Sequence, residues 1–369
     1  MLVITDIWAM QLEGKRVMEK RTKYILAATA MLVFCINSTL VCGAKENNSP
    51  VDNEERSVFT RTDFAMDTPI AETLYTTGED ITEEITQVIN DADAKWISWS
   101  EESSELYQIN ESSGEEFLLS DEMAGYLEKV MKLWEDSDGA LDPTLGKLTQ
   151  LWNLGGENPT VPEEEEIQDA LAHTGFGSVE LDGKSLTMEK GCTLDLGAAG
   201  KGIVCDEIIS YLEQQPEVTA AIVNLGGSSV TAYGQKPDGS QWRVAVTDPR
   251  DTQGDYLGSV TIYGGEFLST SGDYQRYIIE DGIRYHHILD PQTGYPARSG
   301  VTGVTVVCSN GLIADGLSTA CFVLGWEKAE PLLEKYGADA LFVDEEQHVY
   351  LTEGMKERFQ LLKDNYSIQ

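Results

Sequence analysis

Hydrophobic residues in this chain recur with two periods, and the two predict different elements. After Asp80, the residues Ile81, Ile85, Val88, Ile89 and Ala92 follow one helical face, with Asp80 as the N-cap. Met123, Leu127, Val130 and Trp134 repeat that spacing for a second helix. Ile203, Val204, Ile208, Ile209 and Leu212 mark a third, and ADGLSTACFVLG at 314–325 a fourth. The acidic run Glu163–Glu166 lies between Pro162 and Ile167, Ala170 and Leu171. It reads as the first turn of a further helix, where carboxylates meet the positive end of the dipole. Short apolar runs bounded by turn residues predict strands: VELDG from Val179, AAIVNL at 220–225, WRVAV at 242–246, GSVTIY at 258–263, VTVVC at 304–308 and ALFVD at 340–344. The two kinds of segment interleave without a strict βαβ period, and no fixed repeat is present. The pattern predicts an α+β fold: one compact domain with a mostly antiparallel sheet and packed helices.

The amino-terminal residues have another character. Lys15, Arg16, Lys20, Arg21 and Lys23 precede an uncharged, apolar stretch from Tyr24 to Ala44. Residues 1–44 therefore read as a signal peptide or a membrane anchor. Taken from Met18, the basic cluster, apolar run and Cys42 resemble a bacterial lipoprotein leader. Residues 45–57 are polar and aperiodic, as a tether is, and 58–369 form the folded domain. Either form of leader places that domain outside the cytoplasm, attached to the cell membrane through a lipid or helical anchor.

Charge narrows the choice of ligands. The chain has 26 basic and 63 acidic residues, a formal net charge of −37, which repels nucleic acid and anionic membrane surfaces. A phosphate-bearing ligand would need a local metal ion or lysine. Cys192, Cys205, Cys308 and Cys321 show no CxxC spacing and no neighbouring histidine pair, so they support no zinc site and read as small buried residues, with a disulfide left open.

Polar clusters then stand out against this background. Two of the four histidines are adjacent in His286-His287-Ile288-Leu289-Asp290-Pro291-Gln292-Thr293-Gly294, close to Thr270-Ser271-Gly272-Asp273-Tyr274 and to Ala314-Asp315-Gly316-Leu317-Ser318-Thr319. An imidazole exchanges its proton near neutral pH, so the pair suits acid–base work. Leu194–Gly202, LDLGAAGKG, is a Gly-rich turn opening a helix, with Lys201 as a positive charge. It reads equally as a tight connection or as a phosphate-facing turn. Asp315 and Thr319 share one helical face and suit a hard cation such as Mg²⁺; the alternative is a capping Asp with an internally bonded Thr. GALDPT at 139–144 and NLGGS at 224–228 are two more permissive turns.

Taken in order, eight segments resemble the FAD:protein FMN transferase family, the ApbE-like flavin transferases, over roughly residues 60 to 330. They are Ala65-Met66-Asp67-Thr68, Ser104-Glu105-Leu106 with Asn110, GALDPTLGKLTQLW, LDLGAAGKG, NLGGS, TSGDYQRY, YHHILDPQTGYP and ADGLSTACFVLG. The resemblance implies an ApbE-like, T-fold-related domain. It implies an enzyme that cleaves FAD between its phosphates, releases AMP and esterifies the FMN phosphate to a threonine of an exported or membrane flavoprotein. Met66, Ala140, Leu141, Asp142, Asp195, Lys201, Ser271, Gly272, Asp273, His287, Ile288 and Leu289 would line FAD. Asp315, Thr319 and the Ala198 carbonyl would hold Mg²⁺, with Mn²⁺ or Ca²⁺ as substitutes, and Asp315 would lie near Lys201, open to solvent. His287 matches the family's catalytic histidine, taking the acceptor proton or helping AMP leave, while His286 is a structural neighbour. Two other functions accompany this one: a Mg²⁺-dependent FAD pyrophosphatase, and a flavin-binding lipoprotein without chemistry. The chain lacks the Ser/Thr-Gly-Ala-Thr acceptor string, so the modified protein is expected to be another chain.

Overall fold

The computed structural model describes residues 56–156, 158–251 and 254–369. The expected leader at 1–44 and nearly all of the expected tether lie outside these residues. The first strand, Ser57–Ala65, begins one residue before the expected domain start.

Nine strands form the main sheet among the described residues, and their spatial order is their chain order: Ser57–Ala65, Thr68–Thr76, Val218–Leu225, Ser229–Gly234, Phe267–Gly272, Val301–Cys308, Asp339–Asp344, His348–Leu351 and Ser367–Ile368. Every neighbouring pair is antiparallel except the last, where Ser367–Ile368 runs parallel to His348–Leu351. The α+β class expected from the patterning is the class observed.

Runs such as AAIV and ALFV are apolar on consecutive residues because both faces of this sheet are covered. Ala221, Val223, Leu225, Phe267, Val304, Val306, Ala340 and Phe342 pack under helices in the larger core. The alternate residues Ala220, Ile222, Leu268, Val307, Leu341 and Val343 pack on Trp242, Val244, Val260 and Ile262. Those last four come from a separate three-stranded sheet, Trp242–Thr247, Tyr256–Ile262 and Phe359–Leu361, so two of the expected strands close the second face instead of joining the main sheet. Cys192, Cys205, Cys308 and Cys321 are buried free thiols, and no disulfide joins them.

The helices start close to where their signals stand. Ile81, not Asp80, is the N-cap of Thr82–Ala92; Asp80 acts from one residue earlier, its Oδ1 accepting from the Thr82 amide at 3.0 Å and hydroxyl at 2.9 Å. Glu163 caps Glu164–Leu171 in a capping box with Glu166. The helices Gly200–Leu212 and Gly311–Leu324 are apolar around most of their circumference because they are enclosed. Gly311–Leu324 lies on the sheet beside the first, and Gly316 allows Leu133 and Leu141 to close over it.

A third, smaller core supports the histidine segment. Leu148, Trp152, Ile167, Ala170 and Leu289 form it, and the Trp152 indole donates to the Gly294 carbonyl at 2.8 Å. The Asp290 carbonyl accepts from the Gly294 amide at 2.9 Å, closing the Asp290–Gly294 turn. Gly294 has φ 72°, and a side chain there would also meet Ile167.

Candidate active site

Two glycines bring the helices Gly200–Leu212 and Gly311–Leu324 into backbone contact. A β-carbon on Gly202 would stand 2.2 Å from the Gly311 carbonyl oxygen, and one on Gly311 would stand 2.3 Å from that of Gly202. Asp206 fastens the crossing: its carboxylate accepts from the Gly311 amide at 2.7 Å and the Leu312 amide at 3.1 Å, while Asn310 caps Ile313 at 3.1 Å. One turn further, Asp315 reaches across, and its Oδ2 accepts from the Gly202 amide at 3.0 Å. Its Oδ1 accepts from Ser269 at 2.5 Å and Ser229 at 3.3 Å.

Asp315 lies inside Gly311–Leu324, whose own cap is Asn310, and it satisfies a first-turn amide of the neighbouring helix Gly200–Leu212 instead. It is also buried, with 6% exposure, where an open position was expected. Two strands supply hydroxyls to its carboxylate, and the close crossing leaves little room for solvent. Burial pushes its carboxyl above the usual range, and Lys201 pulls it back. Burial likewise lowers Lys201, against the attraction of Asp315. The Lys201 ammonium donates to the Ser228 hydroxyl in the turn after Val218–Leu225.

The Gly202 amide is one of the helix-start donors that an intrahelical bond would not satisfy. Because Asp315 takes it, no hydrogen bond among the described residues ends on the Ala198 carbonyl. On the next turn of its helix, Thr319 meets Ser271 at 3.2 Å, and Ser318 meets Ser271 at 2.8 Å. A carboxylate, hydroxyls and a free carbonyl, all hard oxygen donors, therefore belong to three neighbouring segments.

Tight turns gather beside them. Met66 and Asp67 link the first two strands with φ 49° and 54°, the paired left-handed geometry of a two-residue hairpin turn. Gly226 follows in the adjacent turn, its amide donating to the Pro69 carbonyl at 2.9 Å. The Asp142 turn is joined to the Gly-rich segment by the Asp195 amide, which donates to the Pro143 carbonyl at 2.7 Å. Asn110 clamps the same segment, exchanging bonds of 2.9 and 2.7 Å with the Leu194 backbone.

The histidines divide the work. His286 is buried, with Nε2 bonded to the Ala297 carbonyl at 3.0 Å and Nδ1 accepting from the Ile288 amide at 3.3 Å, and its ring stands edge-on to Phe322. Both nitrogens are occupied, and burial lowers its pKa to about 4. His287 Nδ1, by contrast, is buried without a hydrogen-bond partner. Burial first, then the charges of Arg276, His286 and Lys201, lower this ring to about 3. It is a neutral imidazole throughout the physiological range.

The chain matches the ApbE family model over residues 66–342. The chain belongs to the ApbE family. A FAD:protein FMN transferase of Treponema pallidum is 33% identical over 290 residues, covering 74% of this chain and 80% of that protein. A FAD:protein FMN transferase of Klebsiella pneumoniae is 30% identical over 319 residues, covering 85% and 98%. Among solved structures, the ApbE protein of Thermotoga maritima superposes with a TM-score of 0.73 at 33% identity, covering 82% of this chain and 99% of that one. The flavinyl transferase ApbE of Pseudomonas stutzeri gives 0.71 at 31%, covering 83% and 98%.

Within this ApbE fold the expected site residues occupy different settings. Asp315 meets the helix that carries Lys201 through the Gly202 amide, Thr319 meets Ser271 one turn further on, and the charge of Lys201 bears on His287. The side chains of Leu141, Ile288 and Leu289 are buried in the hydrophobic cores, leaving main chain as what they can present to a ligand. Asp142 holds its own turn, accepting from the Thr144 amide at 2.8 Å and hydroxyl at 2.5 Å. The Asp273 carboxylate is engaged by Arg250 at 2.7 and 2.9 Å. Ser228 belongs to the NLGGS turn expected from the sequence, whereas Ser229, Ser269 and Asp206 stand outside the ordered motifs that the sequence marks. Serines in strands carry no signal of their own, although Asp206 lies four residues after Gly202 on the helix Gly200–Leu212.

Proposed function

We propose that this protein is a Mg²⁺-dependent FAD:protein FMN transferase that moves FMN from FAD to a threonine hydroxyl of another protein and releases AMP. The observation that carries the reading is the Asp315 carboxylate held against Gly202 beside Lys201: a charged oxygen and a cation brought together where the Gly-rich turn opens its helix. The names of the relatives from Treponema pallidum and Klebsiella pneumoniae support the same activity.

The oxygen donors fit a hard divalent cation, with Mn²⁺ or Ca²⁺ as alternatives to Mg²⁺. Asp315, Thr319 and the Ala198 carbonyl would hold it, leaving coordination positions for water and phosphate. When bound, Mg²⁺ supplies charge neutralisation on the diphosphate. Lys201 supplies a fixed positive charge, needed in a chain of net charge −37. Met66, Ala140 and Asp195 belong to the turns and loop that would border the flavin nucleotide.

His287 handles the proton. Its neutral ring accepts the proton of the attacking hydroxyl as that oxygen bonds to the FMN phosphorus; the bond from this phosphorus to the bridging oxygen breaks, and AMP departs with the electron pair. A phosphate close to Arg276 and Lys201 offsets their repulsion and raises the ring toward a useful basicity.

Incubation with FAD, Mg²⁺ and a threonine-bearing flavoprotein domain, followed by mass spectrometry, tests the reading. A covalent FMN adduct on the acceptor supports it. Release of FMN and AMP without an adduct makes the protein a pyrophosphatase, and intact FAD makes it a binding protein. Acceptors in the exported or membrane electron-transport class suit the amino-terminal basic and apolar segment, which we read as the export and anchoring signal. Recovery of unprocessed full-length chain from soluble cytoplasm would contradict that location.

A further inference from the structure

Arg276 lies at the base of the two-stranded hairpin Tyr277–Glu280 and Ile283–His286, directly across from His287, whose amide donates to the Arg276 carbonyl at 3.1 Å. Its guanidinium extends over Gly155, with Nη1 3.4 Å from the place a β-carbon would occupy. Its charge bears on both His287 and Lys201.

The other arginines nearby are engaged. Arg250 and Arg284 face Asp273, and Arg298 donates to the Arg284 carbonyl at 2.5 Å. Elsewhere, Arg61 pairs with Asp63 and Arg358 with Glu266 and Asp339. Arg276 makes no ion pair and no side-chain hydrogen bond among the described residues. In a chain with 63 acidic and 26 basic residues, a guanidinium without a carboxylate, near a second cation and a histidine, opposes the general charge distribution. Two such cations repel each other unless an anion comes between them. A guanidinium matches phosphate oxygens with two parallel N–H bonds, whereas an ammonium acts as a point charge.

We propose that Arg276 is a phosphate-binding residue of this site, engaging the FAD diphosphate and stabilising the phosphoryl group as it passes from AMP to the acceptor hydroxyl. The inference rests on the FAD-transfer reading. Arg276 makes and breaks no bond. The new bond joins the acceptor oxygen to the FMN phosphorus, the bond to the bridging oxygen breaks toward AMP, and the hydroxyl proton goes to His287.

The test compares the full protein with Arg276→Gln and Arg276→Lys, using FAD, ADP and riboflavin as ligands in the presence of Mg²⁺. Arg276→Gln is expected to weaken FAD and ADP binding about tenfold to a hundredfold and leave riboflavin binding unchanged. Its kcat is expected to fall on the order of a hundredfold, beyond the effect on KM. Arg276→Lys should recover part of the ADP affinity and little of kcat, because it restores the charge without the fork. Unchanged ADP and FAD affinity in Arg276→Gln overturns the proposal, as does an equal loss for riboflavin, which would indicate a structural role. ADP binding reads Arg276 separately from turnover: if the parent protein transfers no FMN, the functional reading fails while the phosphate contact is still measured.

Discussion

The Gly202 amide donates to Asp315 Oδ2 at 3.0 Å, a bond across two helices between residues 113 positions apart in the chain. It depends on Gly202 having no side chain, since a β-carbon there would lie 2.2 Å from the Gly311 oxygen and 2.8 Å from the Asp315 β-carbon. Gly202→Ala is expected to force the helices apart. Overpacking of this kind lowers stability by about 1–3 kcal/mol. The denaturation midpoint and the FMN-transfer rate should fall together; an unchanged midpoint with full transfer would mean that the crossing is slack.

Asp315→Asn preserves shape and removes charge. Transfer is expected to fall on the order of a hundredfold or more, with weaker dependence on Mg²⁺ concentration. Thr319→Val should act in the same direction and less strongly. Mg²⁺ titrations of FAD turnover measure both, and full activity in chelator would remove the metal from the mechanism.

His287→Ala should retain FAD binding and lose about 10²–10⁴-fold in transfer, the usual contribution of a positioned base. His286→Ala should affect the chemical step less and the fold more, because Nε2 and Nδ1 both hold backbone groups. Flavin fluorescence titrations beside single-turnover transfer separate the two. Comparable transfer by His287→Ala and the parent protein would exclude His287 as the base.

Acid should destabilise the fold through the same pair. A histidine whose folded pKa is depressed, to about 4 for His286, favours the neutral native state. That contribution is complete above the unfolded value of about 6.5 and declines as pH falls toward 4, amounting to up to about 3 kcal/mol. Denaturant melts between pH 7 and 4 should show the loss, and His286→Gln should flatten the slope. A parallel slope in the variant would assign the acid sensitivity elsewhere.

Glu72 has the opposite sign. Buried in the strand Thr68–Thr76, it bonds Thr86 through Oε1 at 3.0 Å, while Oε2 has no hydrogen-bond partner, and burial raises its pKa to about 8. The protonated form suits the fold, so the benefit is complete below about 4.5 and is lost as pH rises through 8. Glu72→Gln should therefore stabilise the protein at pH 9, on the order of 2 kcal/mol, and change little at pH 4.5. Equal stability at pH 9 would mean that the native carboxylate is solvated.

Much of this protein was legible before folding. Periodicity identified the helices over 82–92 and 121–136 and the strand runs at 220–225, 304–308 and 340–344, because apolar spacing reflects local geometry directly. The ordered motifs led to the ApbE family, since Gly, Asp-Pro and His-His segments carry turn and proton chemistry in their residue types. Only the tertiary structure decided that WRVAV and GSVTIY close the second face of the sheet, because an apolar strand does not encode which sheet it joins. Only the tertiary structure enclosed Asp315 between Ser229, Ser269 and Gly202, and left Arg276 without a carboxylate partner among the described residues. Burial and charge pairing depend on segments far apart in the chain, so their energies arise when the sheet and the helix crossing bring those segments together.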